Sequence, residues 1–123
     1  MLRPEDEDTF LIIRHPQEPC IVAIPITRWE AKVKRLQELE GDTTVLKAFL
    51  RRLLYGATEQ TLDKQGRLNL TKDLIEYAEL DTNVLLFPNS DQIEIWNPKN
   101  YEERFVKREF TERDHYLLNH TGL

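Results

Sequence analysis

Two short runs rich in β-branched residues, Thr9-Phe10-Leu11-Ile12-Ile13-Arg14 and Cys20-Ile21-Val22-Ala23-Ile24, flank a segment that holds Pro16 and Pro19. The pattern predicts two strands around a loop. Thr27 then reads as a helix N-cap, with Trp29, Val33, Leu36 and Leu39 recurring at helical spacing and Gly41 as the stop. A second helix starts near Thr43 or Thr44. Its apolar stripe is Leu46, Phe49, Leu50, Leu53 and Leu54, its basic residues Lys47, Arg51 and Arg52 lie off that stripe, and Gly56 ends it. Strand-like residues 57–62 and 67–70 flank Asp63-Lys64-Gln65-Gly66, a hairpin signal because glycine takes positive φ without steric cost. Thr71 caps a predicted helix over 72–80. Strands over 83–87 and 92–96 enclose Pro88-Asn89-Ser90-Asp91, and Asn97-Pro98 reads as N-cap and first residue of a helix carrying Tyr101 and Phe105. The polar tail 111–123 is left without a predicted element.

The order of elements repeats. A shift of 72 residues places Ile21 on Ile93, Ala23 on Ile95, Ile24 on Trp96, Trp29 on Tyr101 and Val33 on Phe105. With a two-residue gap, Leu11-Ile12-Ile13 falls on Leu85-Leu86-Phe87. Agreement in element order as well as residue type marks an internal duplication. The turn at 63–67, shifted back by the same interval, falls upstream of Met1, so the first half reads as incomplete. The expected consequence is that the strand at 9–14 has lost a neighbour and exposes an unpaired edge.

At 123 residues the chain is the size of one domain. Its single cysteine excludes an internal disulfide framework. No apolar run approaches the roughly 18 residues of a membrane helix. The acidic start lacks the apolar core of a signal peptide, which leads us to expect a reducing cytoplasm. The formal charge of −5 excludes a uniformly basic nucleic-acid-binding surface. The charge is uneven, however: residues 1–10 carry a net −3, whereas 28–67 carry nine basic and six acidic residues. Screening over about 8 Å lets such a local basic stretch contact a phosphate within an acidic protein.

Little else in the chain points to chemistry. His15, His115 and His120 share no ligand spacing with Cys20, and Cys20 sits in an apolar strand as a small core residue. No Gly-rich loop opens a helix, and no nucleophile, base and orienting group occur together, so neither an enzyme nor a cofactor site is expected. Trp29 and Trp96 read as core or interface, and Arg51 and Arg52 as a solvated face or subunit contact. The turn differs. As a plain hairpin, Asp63 bonds the loop backbone and Gly66 permits the bend. As a binding element, Arg67 presents a guanidinium fork to a phosphate or a guanine edge, Lys64 adds charge and Asp63 orients Arg67 by an ion pair.

Asp63-x-x-Gly66-Arg67 followed by Leu68-x-Leu70 resembles the Asp-x-x-Gly-Arg motif of the MraZ family, within the AbrB-like swapped-hairpin transcription factors. Arg51-Arg52-Leu53-Leu54-Tyr55-Gly56-Ala57 is similar to that family's Arg/Lys-Arg-Leu-x-x-x-Ala helix end, Ile93-Glu94-Ile95-Trp96 to its Ile-Glu-Ile-Trp strand, and Cys20-Ile21-Val22-Ala23-Ile24-Pro25 to its Cys-Leu-x-x-Tyr-Pro strand, with Ile24 in place of an aromatic. The resemblance covers about residues 10–105. It implies an α+β fold, an AbrB-like swapped-hairpin β-barrel with two pseudo-repeats, the first incomplete: 1–56 and 57–106, followed by the tail 107–123. It further implies a bacterial transcriptional regulator of the cytoplasm and nucleoid. Such a regulator assembles into a ring on repeated promoter sites and usually represses the division and cell-wall gene cluster. Promoter DNA and further copies of the chain are then the partners, with no membrane, cofactor or small-molecule substrate, and the DNA-contacting set is Asp63, Lys64, Gly66 and Arg67. The family carries two such turns and this chain shows only the second. That departure leaves open a degenerate or antitoxin-like interaction module that oligomerises without reading DNA.

Overall fold

The computed structural model describes residues 8–123. The chain runs β1 (Thr9–Arg14), β2 (Ile21–Pro25), α1 (Ile26–Leu39), α2 (Thr43–Leu53), β3 (Thr58–Thr61), α3 (Lys72–Tyr77), β4 (Leu85–Asn89), β5 (Gln92–Trp96) and α4 (Pro98–Tyr101), which widens into a π-helical turn over Glu102–Val106; α5 (Glu112–Leu118) follows. The five strands form one antiparallel sheet in the order β3-β1-β2-β5-β4.

β1 and β2 are apolar runs rather than alternating ones because both faces of the sheet are covered. On one face Ile12, Ile21, Ala23 and Ile95 close against Leu74 and Ala78, with Phe10, Leu68, Leu70 and Tyr77 around them. On the other, Leu11, Ile13, Val22 and Ile24 pack under Ile26, Trp29, Leu53 and Leu54. Successive residues point to opposite faces of a strand, so a run with two buried faces has no polar positions.

The 72-residue shift reappears in the strand register at the centre of the sheet. Val22 pairs with Glu94, its own counterpart 72 residues on, while Ile21 pairs with Ile95 and Ala23 with Ile93. Each flanking residue thus faces the other's counterpart, as a two-fold axis through the Val22–Glu94 pair requires. In the hairpins, Ile13 pairs with Val22 and Phe87 with Glu94. The two-residue gap is therefore a loop-length difference: residues 15–20 separate the Arg14–Ile21 pair, whereas only 89–92 separate the equivalent Pro88–Ile93 pair, where Ser90 takes φ +62°. Ion pairs obey the same symmetry. Lys32 of α1 reaches Asp91 in the β4–β5 turn at 3.1 Å, and Arg104, its counterpart 72 residues on, pairs with Glu18 in the β1–β2 loop. Each half is clasped by the other's helix. Trp96, fully buried, stands where Ile24 stands in the first half, and Tyr101 and Phe105 pack edge-on against it at 5.5 Å. Its indole Nε1–H donates to buried Glu94 at 2.7 Å, and Asn89 Nδ2 donates to the same carboxylate at 3.0 Å.

Several expectations need correction. The sheet is open rather than a closed barrel, because β3 and β4, its outermost strands, are not paired with each other. β1 is not an edge: β3, from the second half, pairs with it. Among the described residues both β3 and β4 have a bare outer side, and β4 lacks the neighbour that β3 gives its counterpart β1; its Leu86 and Phe87 are 59% and 40% exposed. Residues 67–70 form no strand; Leu68 and Leu70 drop onto the core instead. Thr27 caps nothing, since α1 starts directly after Pro25 at the end of β2, whereas α2 is capped by Asp42, which accepts from Thr44 N and Val45 N. Thr71 and Asn97 do cap α3 and α4. The tail holds α5, opened by a capping box between Thr111 and Asp114. The acidic residues 1–7 lie outside the described residues.

Leu74 is fully buried at the centre of the first core face. Leu74→Ala is expected to cost about 2–5 kcal/mol in urea unfolding, as large-to-small core changes do. A loss well under 1 kcal/mol would mean that α3 does not close this face.

Candidate nucleic-acid interface

The turn begins where the sheet ends. β3 runs beside β1 until Thr61 meets Thr9, and Leu62 N–H still donates to the Asp8 carbonyl at 2.9 Å. Among the described residues no ladder partner follows, and the backbone donors are taken up locally. Asp63 Oδ1 accepts from Gln65 N–H at 2.8 Å and from Arg67 N–H at 2.9 Å. Asp63 N–H donates to the Arg67 carbonyl, and Gly66 N–H to the Asp63 carbonyl, both at 3.0 Å. Gly66 takes φ +76°. This is the left-handed conformation that a Cβ disfavours, although the space around it is open. One carboxylate and one glycine thus close a loop that carries Lys64 on its tip.

Arg67 leaves this loop with its direction set. Its Nε–H donates to Asp63 Oδ2 at 3.0 Å, yet its side chain is 71% exposed. The four Nη–H donors have no partner among the described residues and form the outward edge of the fork. An ion pair this exposed adds little to stability; its consequence is orientation. The Arg67 backbone N–H holds the Asp63 carboxyl below its ordinary value of 3.8, against an opposing effect of burial and with help from the Gln65 N–H and the Arg67 side chain. The structure brings together Asp63, Gly66 and Arg67 as the sequence predicts, with Lys64 exposed beside them. The arrangement suits a phosphate oxygen or a guanine edge, both of which accept from a planar fork.

The other candidates go elsewhere. Arg51 and Arg52 are exposed in the last turn of α2. That helix end leads into the Thr58 end of β3, away from the turn. Trp96 is core, and Trp29 packs against the second core face. Cys20 is buried, and burial, followed by Glu94 and Glu18, pushes its thiol up to about 12, which suits a packing residue. His15 Nδ1 accepts from Gln17 N–H and Glu18 N–H, His115 packs on Phe110 and His120 on Tyr116. Among the described residues no cluster of potential metal ligands forms, and no helix is long and apolar enough to cross a membrane. The sequence reading missed Arg14, held between β1 and α2; a lone arginine at a strand end carries no signal until the fold surrounds it.

Residues 53–118 match the family described as "MraZ protein, putative antitoxin-like". A transcriptional regulator MraZ from a Nocardioides species is 37% identical over 93 residues, 76% of this chain and 65% of that protein. Those of Natranaerobius thermophilus and Clostridium acetobutylicum are 34% and 32% identical over 77% and 82% of this chain. The match spans 66% and 70% of their lengths, so the chain covers about two thirds of these relatives.

The lowered Asp63 value fixes the sign of a pH effect. A carboxylate held below its unfolded value stabilises the folded turn above about pH 3.8, and that contribution is lost as pH falls through the lowered value. The Asp63 carboxyl carbon, followed by NMR, is expected to titrate with a midpoint below 3.8, with the Arg67 amide moving in step. A midpoint at or above 3.8 would show that the loop backbone does not hold the carboxylate.

Proposed function

The chain belongs to the MraZ family, and from that premise we propose that it is a DNA-binding transcriptional regulator acting through the Asp63–Arg67 turn. The observation that carries the reading is an exposed guanidinium aimed by the carboxylate of its own loop and otherwise uncommitted. Asp63 binds one corner of the fork, Gly66 bends the backbone beneath it, and the free Nη edge meets a backbone phosphate or the O6/N7 edge of guanine, with Lys64 on a neighbouring phosphate. One such turn neutralises roughly two phosphates, at a salt slope of about −0.9 each. That is too little for specific binding by a single copy. Several subunits must engage repeated promoter sites together, which couples DNA binding to oligomerisation. The family resemblance supports the finer reading: a ring-shaped homo-oligomer in cytoplasm and nucleoid, two pseudo-repeats within each chain, and repression of a division and cell-wall gene cluster.

A second reading, an antitoxin-like interaction module, is favoured by exposed apolar residues away from the turn: Leu86 and Phe87 on β4, and Phe110, Tyr116 and Leu117 around α5. Such a module oligomerises yet neither shifts DNA nor binds heparin.

The test is a gel-shift titration on DNA upstream of the chain's own operon, with oligomeric state followed in parallel. Arg67→Ala is expected to weaken binding by about ten-fold or more per engaged turn and to lower the salt slope by about one per turn, with the assembly unchanged. Equal affinity of variant and wild type would remove Arg67 as a contact.

A further inference from the structure

A second arginine is held in a different way. Arg14 ends β1 beyond the Ile12–Thr58 pair, whereas the Arg67 turn follows the Thr9–Thr61 pair, so the two lie at opposite ends of one ladder. The Arg14 guanidinium carbon sits 5.2 Å from the Tyr55 ring and 5.3 Å from the Tyr77 ring. Gly56 makes room: a Cβ there would stand 3.3 Å from both Nε and Nη2, and the residue's φ of +78° already disfavours a side chain. The Arg14 guanidinium has no ion pair and no hydrogen bond among the described residues, and its Nε is fully buried without an acceptor. Buried donors are nearly always paired, so a guanidinium left wholly without an acceptor is a candidate partner for an incoming anion.

The cleft it faces has about 320 Å³ of space. Arg52 and His15 share its lining, Phe49 supplies an apolar wall, and no carboxylate lines it. The backbone N–H groups of Gln17 and Glu18 both donate to His15 Nδ1. The neutral ring therefore carries its proton on Nε2, a third donor. Tyr77 is fixed by its hydroxyl, which donates to the His15 carbonyl at 2.6 Å. Two guanidiniums and an imidazole N–H around one space match the three oxygens of a phosphate better than the two of a carboxylate. The volume leaves room for a ring-sized body beside the anion, and the aromatic wall suits an apolar one.

We propose that this cleft is a binding site for a small organic phosphate, separate from the DNA-contacting turn. The phosphate lies on the Nη edge of Arg14, within reach of Arg52 and His15, and its apolar body rests on Phe49 and Tyr55. Binding relieves the repulsion between two unpaired guanidiniums, so it raises the melting temperature.

The test titrates the full chain, labelled at arginine nitrogen, with phenyl phosphate. Saturable movement of the Arg14 Nε resonance and a rising Tm are expected, with inorganic phosphate binding at least about ten-fold more weakly because it lacks the ring. Arg52 is exposed, so Arg52→Gln should fold normally and weaken phenyl phosphate by about ten-fold, the scale of one charge-assisted hydrogen bond. Arg67→Ala should leave this binding unchanged. Four results would overturn the proposal: no movement at millimolar phenyl phosphate, equal binding of inorganic phosphate, an unaffected Arg52→Gln variant, or a DNA duplex moving Arg14 where phenyl phosphate does not.

Discussion

The antiparallel pairing of β2 with β5 across Val22 and Glu94 is the contact on which the rest of the molecule depends. It joins the β1–β2 and β4–β5 hairpins and places each under a helix that follows the other, where Lys32–Asp91 and Arg104–Glu18 close the clasp. It also brings a buried carboxylate to the two-fold seam. Glu94 is tolerated because Trp96 and Asn89 both donate to it. Unpaired, a charge so placed would cost several kcal/mol, on the order expected for a desolvated ion. The second half thus carries a polar anchor where the first has Val22.

The same pairing sets the position of the Asp63–Arg67 turn. With β2 and β5 at the centre, β1 lies outside β2, and β3 from the second half lies outside β1. The loop after β3 therefore projects beyond the start of β1, held by a ladder that belongs to both halves. Its geometry needs little further energy. Three hydrogen bonds to one aspartate and one left-handed glycine suffice to aim an arginine whose side chain stays in water.

Much of this was legible in the residues. The shift of 72 reappears in the register of the central strands, where Val22 pairs with Glu94, and the two-residue gap corresponds to a loop-length difference. Asp63, Gly66 and Arg67 form the turn their types suggested, because that turn is local: Asx bonding and positive φ act over five residues. What failed was non-local. Nothing in Thr58–Thr61 reveals that it pairs with β1, so the residues alone leave β1 looking like an edge. The 67–70 segment has a strand-like alternation, but its leucines gain more by packing on Ile12 and Leu74 than by standing in an arm with no neighbour. The Arg14 cleft was invisible for the same reason, since its members come from three separate stretches of chain. Only α5 was overlooked despite a local signal, Thr111 three residues before Asp114.

The central claim is that one outward guanidinium per chain meets DNA. The most direct measurement follows the arginine Nε resonances of the labelled protein while its own upstream DNA is added. Arg67 is expected to move first, and more than any other arginine, with its Asp63 contact retained. Movement at Arg51, Arg52 or Arg14 with Arg67 unperturbed would contradict the account.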